Sequence, residues 1–259
     1  MRSYLHRPDE PFLQDQVPTL VRRIGLSEEA IPKKVAEGKV RIYDAAVDTA
    51  FTLTRVQWAL GEPLDEVLAT MRRTSKRVRD ALGHGFVLEP HTADRWLEIS
   101  IIGGDPATAA TIGAAVERGL DGLDTRGEVV SSFMAGLLAL LRGQRAAAGK
   151  AAEALSRGLD DPSTSPATAT SCAGLDALVA ATARGDQDAF DRAAEARRQV
   201  IAVIYGGSIE LRRSANGLLD AAGTAVARLA AKDGLLLLEG DPYLGTELLA
   251  ALPWPGSGS

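Results

Sequence analysis

One short pattern recurs along this chain and limits what it can become. An apolar helical run meets a glycine, then a polar residue, then the start of another helix. Leu60-Gly61-Glu62-Pro63, Gly103-Gly104-Asp105-Pro106, Arg142-Gly143-Gln144 and Arg184-Gly185-Asp186 all carry it. Glycine can end a helix in a left-handed conformation, and an aspartate after it can cap the next. The intervals are about forty residues, the length of a helical-hairpin repeat. The most complete unit is Gly174–Val200. Leu175, Leu178, Val179 and Thr182 follow helical spacing before the Gly185 break, and Phe190, Ala193, Ala194, Val200 and Ile201 after it. Neither helix of such a pair can cover its apolar stripe alone.

Composition agrees. Aromatic residues make up 5% of 259 residues, too few for a β-sandwich core, whereas alanine and leucine suit closely packed helices. The expected fold is all-α: an array of antiparallel helical hairpins of the tetratricopeptide or HEAT kind, with one short extended, buried segment at Leu235–Leu238. Residues 1–26, with Pro8, Pro11 and Pro18, read as an extended lead-in with at most a short turn of helix. Residues 27–252 read as one helical domain, beginning with a short helix at Ser27 and including one long helix with Leu211, Ala215, Leu218, Leu219, Ala222, Val226 and Leu229 on one face. A final short helix runs from Asp241-Pro242 to Leu249, and residues 253–259 read as a flexible tail.

The net charge of −5 argues against a nucleic-acid ligand and favours a basic protein partner. No segment approaches the length of a membrane span, and the N-terminus lacks the apolar core of a signal peptide. The single cysteine, Cys172, excludes an internal disulfide and reads as a small buried hydrophobe. A cytoplasmic protein is therefore expected, with its oligomeric state left open.

No constellation for known chemistry emerges. His6, His84 and His91 have no zinc-site spacing with each other or with Cys172. Phosphate loops, dinucleotide loops and nucleophile elbows are missing, and neither a cofactor nor a metal is expected. The basic run Arg72, Arg73, Lys76, Arg77 and Arg79 lacks interleaved aromatics and reads as a solvated helix face. Candidate partner-binding residues are Asp44 and Asp48, one turn apart, together with Asp94, Trp96 and Glu98. An enzyme would instead need an acid–base pair that converges only in space, such as His84 or His91 with Asp94. A deep polar pocket with a perturbed histidine or carboxylate would favour that alternative.

Three stretches of the second half resemble a known family. They are FMAGLLALLRGQRAAAGKAAEAL, LDALVAATARGDQDAFDRAAEA, and the ending LLDAAGTAVARLAAKDGLLLLEGDPYLGTELL. Together, over roughly Glu128–Leu249, they resemble the α-helical bacterial immunity proteins of polymorphic-toxin family 49. Gly245 stands where that pattern leads one to expect proline. The resemblance implies a non-catalytic protein that binds a co-encoded toxin, often a basic nuclease, and blocks it by surface occlusion. A helical scaffold for some other protein partner is the alternative within the same architecture.

Overall fold

The computed structural model describes residues 2–118, 127–252 and 254. The tail expected from residue 253 lies, Trp254 apart, outside them. Among the described residues every regular element is helical: α1 Glu10–Ala36, α2 Ile42–Leu60, α3 Leu64–Gly83, α4 Pro90–Ile102, α5 Pro106–Glu117, α6 Gly127–Leu141, α7 Arg145–Asp160, α8 Pro166–Cys172, α9 Leu175–Arg184, α10 Gln187–Gly206, α11 Ile209–Arg212, a 3₁₀ turn Ala215–Gly217, α12 Ala221–Lys232 and α13 Thr246–Ala251. Short connections make sequence neighbours into antiparallel packing neighbours. The pairs α1–α2, α2–α3, α4–α5, α6–α7 and α9–α10 are in contact, giving an all-α array of helical hairpins.

The recurring turn works through its glycine. At Gly185 φ is 67°, and the Asp186 N–H donates to the Ala181 carbonyl at 3.2 Å, tying off the last turn of α9. The Asp186 carboxylate then accepts from the Ala189 N–H at 3.0 Å and starts α10. A β-carbon at this φ costs about 1–2 kcal/mol. Gly185→Ala is therefore expected to lower unfolding free energy by about 1 kcal/mol in urea melts, with the helical circular-dichroism signal unchanged.

Four sequence expectations fail. The lead-in is helical from Glu10, and the short helix at Ser27 is its continuation. Pro18 and Pro32 lie inside α1 but on its solvent side, where the carbonyls they leave unbonded can reach water. Leu13, Leu20 and Ile24 on the other side bury against α2, and that packing outweighs the lost hydrogen bonds. The long helix expected through Leu211–Leu229 is broken into α11, the 3₁₀ turn and α12, for a reason given below. Leu235–Leu238 is an irregular connection and mostly not buried, since Leu236 and Leu238 are exposed. The final helix begins only at Thr246, because Asp241 folds the preceding turn by accepting from the Tyr243 and Leu244 N–H groups.

Buried α12 departs from serial packing. It touches α4, α6, α9 and α13, so a late helix is wedged into the middle of the array. The first residues close over this centre. The Leu5 and His6 N–H groups donate to Tyr243 Oη at 3.0 and 3.3 Å, and Tyr4 Oη donates to the Leu218 carbonyl at 2.5 Å. Tyr243 belongs to the Pro-Tyr-Leu stretch and is fully buried. Removing its hydroxyl orphans two backbone donors, at about 1–3 kcal/mol for each group left unsatisfied. Tyr243→Phe is thus expected to destabilise the protein by about 2 kcal/mol and to speed amide exchange at residues 5 and 6 first.

Candidate functional site

Helical spacing places Asp94 and Glu98 on one side of α4, one turn apart. Opposite them, α2 supplies Arg55, α10 supplies Arg197 and Tyr205, and the chain around α11 and α12 supplies Asn216 and Asp220. These groups surround a cavity of about 710 Å³. Its other walls are apolar and include Val130, Phe133, Leu175, Ile201 and Ile204. The volume is that of a small-molecule pocket, typically about 300–1,000 Å³.

One wall of the cavity is a buried ion pair. Arg197 Nε and Nη2 donate to the two Asp220 carboxylate oxygens at 2.7 and 3.0 Å, and its Nη1 donates to the Ser171 and Ala173 carbonyls at 2.8 and 2.7 Å. The side chains are 3% and 5% exposed. The Asp220 N–H also donates to the Tyr243 carbonyl, at 2.9 Å. These tertiary bonds pin Asp220 as the residue before α12. They explain why a helix that the apolar spacing carries through this point is interrupted. Gly217, in the preceding turn, admits the Tyr205 ring so closely that a β-carbon would sit 2.5 Å from it.

Arg55 and Glu98 face each other differently. Arg55 Nη1 donates to Asn216 Oδ1 at 2.6 Å, and the guanidinium carbon lies 4.2 Å from the centre of the Phe51 ring. Arg55 Nε is buried without an acceptor. Burial lowers the Arg55 pKa, against the pull of Glu98. Glu98 makes neither a hydrogen bond nor an ion pair with any described residue. Burial raises its pKa to about 8, reinforced by Asp220 and Asp94 and opposed by Arg55. Cys172 and Tyr205 also line the cavity, and burial pushes the pKa of each upward, so the thiol is not activated.

The sequence candidates gather here unevenly. Asp48, Asp94 and Glu98 line an adjoining recess of about 540 Å³ that shares Arg55 and Asn216 with the cavity. Asp44 joins them through Arg95, whose Nη1 donates to Asp48 at 3.0 Å and whose Nη2 donates to Asp44 at 2.5 Å. That arginine allows two like charges to stand one turn apart on α2. Trp96 is not part of the surface. It points to the opposite side of α4, is 0% exposed and packs on Phe86 with ring centroids 4.5 Å apart, so it cannot anchor a partner. His84 caps α3 at the surface, stacked on Tyr43, and is not among the cavity residues. The His91 side chain lies outside the described residues.

Arg72, Arg73, Lys76 and Arg79 of the basic run are exposed, as a solvated face requires, and Arg77 departs from it. Arg77 is buried and donates to Glu28 at 2.7 Å, and Arg79 grips Asp105 through Nε and Nη2 at 3.0 and 2.6 Å. Among the described residues no group of three or more histidine, cysteine or carboxylate side chains is placed to hold a metal ion. No helix among them is long and apolar enough to cross a membrane. Comparison with protein-family models, curated proteins and solved structures finds no match.

Arg55, Arg197, Asn216 and Asp220 were not legible as site residues. Each stands alone in the sequence, and only the break before α12 brings the last two to the others. The one local signal is Leu219-Asp220-Ala221, an aspartate at the head of an alanine-rich run, which marks a helix start, although its carboxylate accepts from Arg197 and not from the α12 N–H groups.

Proposed function

We propose that this protein is a cytoplasmic bacterial immunity protein that binds a basic, nuclease-like toxin and neutralises it by occlusion. One observation supports this reading. Three carboxylates, Asp44, Asp48 and Asp94, gather from α2 and α4 around Arg55 and Arg95, beside Glu98, which keeps its proton. A face with surplus negative charge speeds encounter with a basic partner and excludes acidic ones. The resemblance over Glu128–Leu249 is consistent with it, and occlusion requires no chemistry of the inhibitor. Co-expression with the product of the neighbouring gene, followed by size-exclusion chromatography with light scattering, tests the reading. A one-to-one complex is expected. Asp44→Lys with Asp48→Lys is expected to slow association about tenfold at low salt and to remove most of its salt dependence. Absence of a complex overturns the immunity reading, and an unchanged rate overturns this choice of face.

A specific feature favours a second, chemical reading of the interior. Glu98 holds its proton near neutral pH inside a cavity, the state that a general acid needs. The acid in this reading is Glu98, whereas the enzyme alternative read from the sequence named a histidine–aspartate pair. Which molecule enters the cavity separates the two readings.

A further inference from the structure

We infer that the cavity bounded by α2, α4, α8, α10 and α12 binds a small organic cation with an apolar body, its charge seated against Glu98. This goes beyond toxin binding and does not depend on it. The cavity has two chemically distinct sides. Val130, Phe133, Ile201 and Ile204 offer an apolar bed, and the α2–α4 side offers charge. Small-ligand pockets are built this way, with a few polar groups fixing orientation against an apolar wall.

The sign of the ligand follows from how each charge is already used. Arg197 spends its donors on Asp220 and two backbone carbonyls. Arg55 gives Nη1 to Asn216 and lies over the Phe51 ring, while its buried Nε has no acceptor. While Glu98 keeps its proton, Asp94 and Asp220 equal the two guanidiniums in number, and Glu98 accepts no hydrogen bond from a described residue. An anion would enter as an unmatched charge, whereas release of the Glu98 proton supplies the carboxylate that balances a cation. A neutral apolar molecule would leave Glu98 unmatched. A cation supplies the donor that Glu98 lacks, with desolvated geometry in which a charge-assisted bond is strong.

Binding is linked to a proton. A cation beside Glu98 favours the carboxylate, so the proton that burial keeps on it leaves when the ligand enters. The charged and titratable groups facing it are Arg55 on α2, Asp94 on α4, Cys172 on α8, Arg197 and Tyr205 on α10, and Asp220 before α12. Burial holds Cys172 and Tyr205 protonated and neutral, leaving Glu98 to release the proton.

Isothermal titration of the full chain with benzamidine at pH 7, in phosphate and in Tris, tests the inference. Benzoate and benzyl alcohol serve as anionic and neutral counterparts of the same size. Benzamidine is expected to bind with release of a fraction of a proton. Glu98→Gln should weaken it about tenfold and abolish the buffer dependence. Ala167→Phe, at an exposed position on α8 that lines the mouth, should block it without touching the charges. Benzoate or benzyl alcohol binding as tightly as benzamidine overturns the inference, as does no heat at about 10 mM ligand. Unchanged affinity in Glu98→Gln overturns the role of Glu98, and unchanged affinity in Ala167→Phe overturns placement inside the cavity.

Discussion

Arg197→Met is expected to lower the unfolding free energy by roughly 3–5 kcal/mol. The substitution keeps most of the side-chain volume and removes the guanidinium. Asp220 is then left as a buried carboxylate without its partner, and the Ser171 and Ala173 carbonyls lose their donor. Asp220→Asn should cost a similar amount, because it strands the arginine. The double variant is expected to recover part of the loss, since removing both charges also removes the desolvation penalty that each carries. Urea melts of the two single variants and the double form a cycle that isolates the pair. Additive losses would mean that the bidentate contact contributes little beyond packing.

Glu98 makes the second large prediction. Its ordinary pKa is 4.5 and in the folded protein it is about 8, so between these values the native state binds more protons than the unfolded chain. The stability it contributes is fully present below about pH 4.5 and is lost as pH rises through about 8. His6 acts in the opposite sense. Burial lowers its pKa below 6.5, so its contribution is present above that pH and lost as pH falls through its folded value. The window from pH 6.5 to 8.5 therefore isolates Glu98. Unfolding free energy should drop by roughly 1–2 kcal/mol across it, and Glu98→Gln should flatten the profile and leave the protein more stable at pH 8.5. A wild-type profile that is level or rising over this window contradicts the burial of Glu98.

The hairpin turns were legible because their chemistry is local. Gly185 and Asp186 close one helix and open the next with atoms no more than five residues away, and Asp105 caps α5 in the same way. The failures are tertiary. Proline at positions 18 and 32 argues against helix, yet the side of α1 that carries Leu13, Leu20 and Ile24 has a helix to pack on. Apolar spacing continues through Leu218 and Leu219, and nothing adjacent reveals that Arg197 and the Tyr243 carbonyl will hold Asp220. Candidate site residues divided by the same logic. The side of α4 that carries Asp94 and Glu98 is set by spacing. Whether Trp96 on the other side meets solvent or core depends on the helices packed there, and it meets the core. The cations that define the cavity come from α2 and α10, far from α4 in sequence.

The measurement that bears most directly on the proposed role is growth of cells expressing the product of the neighbouring gene, with and without this protein. Wild-type protein should restore growth, and the folded Asp44→Lys, Asp48→Lys variant should restore it poorly. A neighbouring product that is toxic and remains so in the presence of wild-type protein, or one that is harmless alone, contradicts the immunity reading.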